Sequence, residues 1–155
     1  MNQQRLEEYV DPETIQRVSL VQRVQRVSAT EALKRIIPIG WMILQLEKQH
    51  TQLYIASTRR KWLKHRTIRE PISFHEADLP ETRLRTASIH VNINEQSKQV
   101  LSEMLSKFDR KYSLSDLLIW LVGVGTAAVL AEHQGSYVTW WNNELQCYER
   151  AVFCP

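Results

Sequence analysis

The sequence predicts a mainly α protein with a short β-strand. Three observations carry that prediction. Residues 88–93 alternate strictly, with Ile89, Val91 and Ile93 on one face and Ser88, His90 and Asn92 on the other. Val100, Leu101, Met104, Leu105 and Phe108 recur at spacings of three and four, the stripe of an amphipathic helix from about Glu95 to Phe108. Leu117 to Ala131 is a nearly unbroken apolar run inside a second helix from about Leu114 to Glu132. The expected organisation is a helical, basic N-terminal region over 1–80, a strand-helix-helix module over 83–132 and an aromatic C-terminal tail over 133–155.

The N-terminal helices rest on their caps. Asp11-Pro12-Glu13 combines a capping side chain, a first-turn proline and an acid on the positive helix end. Ile15, Val18, Val21, Val24 and Val27 follow at steps of three. Ser28-Ala29-Thr30-Glu31 is a capping box opening a second helix through Ala32, Leu33, Ile36 and Ile37, and Pro38 is expected to close it. Ile39 to Leu46 is apolar and fits strand or helix equally. The triplet Gln-Arg-Val recurs at 16–18, 22–24 and 25–27, too closely spaced for a domain repeat.

Thr58 to Arg69 holds Arg59, Arg60, Lys61, Lys64, Arg66 and Arg69 with His65 and no acid. Glu70 to Glu81 carries two prolines and several acids and reads as a linker. In the strand-helix-helix module, Asn94 caps the first helix and Asp109-Arg110-Lys111-Tyr112 breaks it. Ser113 then caps the second helix, with Asp116 in the reciprocal position. A lone strand with two raw edges and a helix apolar all round cannot form a core alone. The expected remedy is a twin: strands paired antiparallel and helices crossed into an intertwined dimer. Ile89, Val91, Ile93, Leu117, Leu118 and Leu121 would form that dimer core.

Residues 86–130, under a third of the chain, resemble the ribbon-helix-helix (Arc/MetJ/CopG-like) DNA-binding family. The resemblance lies in the alternating strand, the capped amphipathic helix, the polar turn and the helix opening Ser113-Leu114-Ser115-Asp116-Leu117-Leu118. It implies a homodimer that places paired strands in the major groove of double-stranded DNA. Ser88, His90 and Asn92 would then meet base edges, the start of the second helix at Ser113 and Ser115 would hold a phosphate, and Arg83 and Arg85 would lie beside the duplex. The implied role is a transcriptional regulator or a mobile-element accessory factor. The chain departs from the family pattern in three places. The outward strand face has no Arg or Lys, the turn has no Gly, and the second helix has no charged face, so residues 1–80 or the tail would have to cover it.

Composition is compatible with this. The chain has 155 residues, 43% of them hydrophobic and 24% charged, with a net charge of +3, an excess compatible with a polyanion partner. Cys147 and Cys154 are too few for a disulfide framework or a zinc cluster, and read as free thiols in a reducing cytoplasm. The five histidines lack metal-ligand spacing, and no catalytic set or cofactor motif stands out. The N-terminus is polar and acidic, unlike a secretory signal, and the apolar run falls short of the ~20 residues of a membrane span. Gly123-Val124-Gly125 within that run reads as a close helix contact.

Two other readings compete. Residues 15–37 could form a helix-turn-helix presenting Arg23, Arg26, Lys34 and Arg35. The apolar helix and the Trp140-Trp141 tail could instead serve a non-enzymatic interaction or scaffold protein, at a membrane surface or through a protein partner of the N-terminal region or tail. Asn142-Asn143, between two apolar pieces, points to a hairpin in that tail.

Overall fold

The computed structural model describes residues 4–49, 52–62, 64–73, 87–93, 95–107 and 112–153. Among them are four helices and six strands in two antiparallel sheets, so the fold is α+β. The mainly α expectation, with an intertwined dimer as its core, is corrected here. The acidic N-terminus is itself a strand, β1 (Gln4–Val10), and pairs antiparallel with β4 (Ala87–Ile93) of the same chain. Its alternation is legible once known. Leu6 and Val10 turn toward the core while Arg5, Glu7 and Tyr9 face solvent. The strand expected to pair with a second copy has its partner some eighty residues upstream. The proposed dimer residues Ile89, Leu117, Leu118 and Leu121 are buried within one chain's core.

After β1 come α1 (Pro12–Gln25) and α2 (Ala29–Gln49). Asp11 caps α1, its carboxylate accepting from the Thr14 amide at 3.1 Å and from the Thr14 hydroxyl. The Ser28 hydroxyl accepts from the Glu31 amide at the start of α2. Pro38 does not end α2, contrary to expectation. The apolar stripe Ile36, Ile39, Ile43 and Leu44 continues past it, while Pro38 and Lys34, whose carbonyl loses its helical partner, both face solvent. That carbonyl is open to solvent, and burial of the stripe carries the helix on.

A hairpin follows, β2 (Leu53–Lys61) and β3 (Lys64–Ile72), so the basic stretch is extended chain. Past β4 run α3 (Glu95–Ser106), α4 (Leu114–His133), β5 (Tyr137–Asn142) and β6 (Cys147–Arg150). The tail hairpin expected around Asn142-Asn143 is the β5–β6 turn. The second sheet has the order β3-β2-β5-β6. The α4 helix is apolar and long enough to cross a membrane by composition, but two thirds of that window is buried inside the protein. It packs against α1, α2, α3, β1 and β5, the cover that its apolar outer face requires.

The order β-α-α-β-β occurs twice along the chain, and several positions of the two runs face each other reciprocally. Glu7 pairs with His90 at the centre of one sheet and Tyr54 with Thr139 at the centre of the other. The caps Ser28 and Ser113 correspond, as do Glu31 and Asp116 three residues on. Gly40 and Gly125 mark the crossing of α2 and α4. A Cβ on Gly40 would stand 2.5 Å from the Leu121 carbonyl oxygen, and one on Gly125 would stand closer still to that of Ile36. Ile36 and Leu121 are themselves equivalent positions, each lying one helical turn before its glycine. The contact is reciprocal.

Candidate nucleic-acid interface

The β2–β3 hairpin outgrows its sheet. Strand β5 covers β2 only from Leu53 to Ala56, so Ser57–Lys61 and their partners stand beyond the body as a two-stranded arm. At about 3.4 Å per residue the arm projects roughly 17 Å. Thr58, Arg59, Arg60, Lys64, His65, Arg66 and Thr67 are exposed. Register sets Arg59 opposite Arg66, Arg60 opposite His65 and Lys61 opposite Lys64. Like charges directly across a strand pair destabilise it. Two of the three rungs nearest the tip, Arg59–Arg66 and Lys61–Lys64, set residues of like charge opposite each other, Arg60 lies opposite His65, and no acid lies between Thr58 and Arg69. At the base of the arm the Arg69 guanidinium stacks on the Tyr148 ring at 3.7 Å, and Tyr148 meets Trp141 edge-on. At the tip, Trp62 is 90% exposed with φ +60°.

The β1–β4 ribbon offers a different surface. Its outer face carries Arg5, Glu7 and Tyr9 beside Ser88 and His90. His90 Nε2 lies 3.7 Å from Glu7 and 3.4 Å from the Ser88 hydroxyl. Asn92 stands opposite Arg5 in register. The face thus mixes charges where the arm is uniformly basic.

The other expected contacts scatter. Ser115 is buried and donates to Glu8 at 2.7 Å, so it braces α4 against the inner side of β1. Ser113 is exposed, but its amide and hydroxyl both donate to Asp116 at 2.9 Å. A carboxylate already sits at the helix start expected to hold a phosphate. Arg83, Arg85 and the Asn94 cap lie outside the described residues, as do Phe108 to Lys111 and Cys154; Val91, Asn92 and Ile93 are described as backbone only. Arg23, Lys34 and Arg35 are exposed, but Arg35 pairs with Glu31 and Gln25 along the helix surface. Among the described residues no three His, Cys, Asp or Glu side chains are grouped to hold a metal.

Sequence reasoning singled out the basic stretch but not its form. The available signal was the near-mirror arrangement of basic residues about Trp62-Leu63, which a hairpin turns into facing pairs. Ribbon and arm also belong to opposite ends of the molecule. The Glu8–Ser115 bond ties the ribbon to the start of α4, and β5 follows the end of that helix, a span of about 30 Å for twenty residues. Comparison with family models gave no match, and neither did comparison with curated proteins or with solved structures.

Proposed function

We propose that this chain binds double-stranded DNA and that the β2–β3 arm is its principal contact. The observation that carries the reading is the ladder of like-charged rungs. The facing positions Arg59–Arg66 and Lys61–Lys64 set like charges across the strand pair, with Arg60 between them. A polyanion converts that repulsion into attraction and releases its condensed counterions. A two-stranded ribbon also fits a groove of B-form DNA, whereas the major groove of A-form RNA is too narrow to admit it. A second reading, that the β1–β4 ribbon enters the major groove, draws on the exposed Arg5, Tyr9 and His90 of one face, with half-buried Ser88 between them. Glu7 at the centre of that face opposes it.

Salt dependence tests the proposal. Six cations, Arg59, Arg60, Lys61, Lys64, Arg66 and Arg69, lie on or at the base of the arm. If all six meet phosphates, the slope of log K against log salt is about −5, a loss of about a thousandfold between about 50 and 200 mM. Replacing Arg59, Arg60 and Arg66 with Gln lowers the slope to about −3. An unchanged slope in that triple variant, or no binding by the wild type at low salt, overturns the proposal. A slope that responds instead to Arg5→Gln moves the contact to the ribbon.

A further inference from the structure

We propose that Trp62 is a wedge that enters the stack of the bound duplex and kinks it. This rests on the duplex-binding reading above and names the form of duplex preferred: one with a pyrimidine–purine step under the arm tip. Three features of Trp62 converge. Its φ of +60° lies in the left-handed region, where a bulky side chain is strained. Lys61 pairs with Lys64, so the hairpin closes through only two residues, Trp62 and Leu63. Such links are ordinarily Asn-Gly or Asp-Gly, because they demand positive φ. The indole is 90% exposed, so its apolar surface is not buried within the chain.

Neither the turn nor the core therefore accounts for a tryptophan here. A strained residue that holds an aromatic ring out of the protein is better explained by what the ring meets outside. The rungs behind it fix that partner. With the arm's cations on the phosphates flanking a groove, the tip is carried against the base-pair edges. An apolar side chain delivered there can separate adjacent base pairs and bend the helix axis. Unstacking is least costly at TA and CA/TG steps, which supplies the preference. An anionic membrane would also attract a basic tip bearing Trp. Its headgroups lie in one plane, however, and would engage only the last rung, whereas the basic rungs run along the arm as phosphates run along a groove.

The test is end-to-end energy transfer on a duplex of about 25 base pairs with a central TA step, beside a GC-only control. The full-length protein is expected to raise transfer on the TA duplex and less on the control. Trp62→Ala should bind within a few fold of wild type, with the same salt slope, and leave the duplex straight. Trp62→Gly should do the same while raising the unfolding midpoint, because glycine accepts the positive φ. Equal bending by Trp62→Ala, or wild-type binding without bending, overturns the wedge and leaves duplex binding standing. Failure of wild type to bind any duplex overturns both. Trp62-dependent flotation with phosphatidylserine vesicles, with the duplex left straight, assigns the tip to a membrane and also overturns the wedge.

Discussion

The glycines at the crossing of α2 and α4 should be intolerant of a single methyl group. A Cβ on Gly40 would stand 2.5 Å from the Leu121 carbonyl oxygen, against 3.4–4 Å for ordinary contact. The obstacle is backbone, so no side chain can swing aside, and the helices must move apart by about 1 Å. Forcing extra atoms into a packed core costs about 1–3 kcal/mol, and backbone collisions belong at the upper end. Alanine returns about 1 kcal/mol through its better helix propensity. Gly40→Ala should thus destabilise by about 2 kcal/mol net, and Gly125→Ala, with the closer approach, by somewhat more. That is a large share of the ~5–15 kcal/mol that holds a domain together. Because one separation relieves both clashes, the double variant should lose less than the sum of the single losses. Gly123, on the same helix, is the internal control. Its Cβ would meet only the Arg17 guanidinium, at 3.4 Å, so Gly123→Ala should be neutral or stabilising by up to about 1 kcal/mol. Urea unfolding at constant denaturant slope reads all four variants. If Gly40→Ala and Gly125→Ala raise the midpoint as Gly123→Ala does, α2 and α4 do not cross as described.

Two further outcomes follow from the packing. Because β4 is paired by β1 of its own chain, the protein should fold as a monomer of 18.2 kDa, with an unfolding midpoint independent of protein concentration; a midpoint that rises with concentration would show that the strand pairs between chains. Asp11 is 3% exposed and holds the first turn of α1, so Asp11→Ala should lower stability by about 1–2 kcal/mol while Asp11→Asn retains most of it, as measured by thermal or urea unfolding; equal losses in the two variants would mean that the charge, not the cap, is what counts.

Local chemistry was readable from the sequence and long-range pairing was not. The caps at Asp11, Ser28 and Ser113, the amphipathic α3 and the apolar α4 all follow from spacings within one or two turns. The strand β4 was also readable, because Ile89, Val91 and Ile93 alternate with polar residues. Its partner was not. In β1 the inward position between Leu6 and Val10 is Glu8, whose carboxylate accepts the Ser115 hydroxyl, so the apolar alternation is broken where a polar contact replaces it. Pro38 misled because its local meaning, a helix stop, yielded to burial of the stripe on either side. The basic stretch was legible as charge, but the facing of its rungs depends on a two-residue link through Trp62 that breaks the usual turn chemistry. The recurring element order was hidden for a related reason. What the halves share is confined to positions where geometry is strict, namely the serine caps, the acid three residues on, and the reciprocal glycines.

The halves are alike in the core and unlike at their hairpins, and the difference bears on the proposed target. The first half ends in two nine-residue strands with basic rungs; the second ends in strands of six and four residues, carrying Trp140, Trp141 and Tyr148. In a symmetric dimer both arms would be identical, and each would seek the same half-site of a palindrome. Here a single chain supplies both runs of elements, so the two hairpins can differ without altering the helix crossing. The second hairpin closes against the body: Trp140 is buried with its indole donating to Glu149, and Tyr148 lies beneath Arg69 of the arm. It braces the root of the β2–β3 arm. If the proposed DNA reading holds, one cationic arm among the described residues favours a duplex approached from one side, and a palindromic site should bind no more tightly than a single half-site.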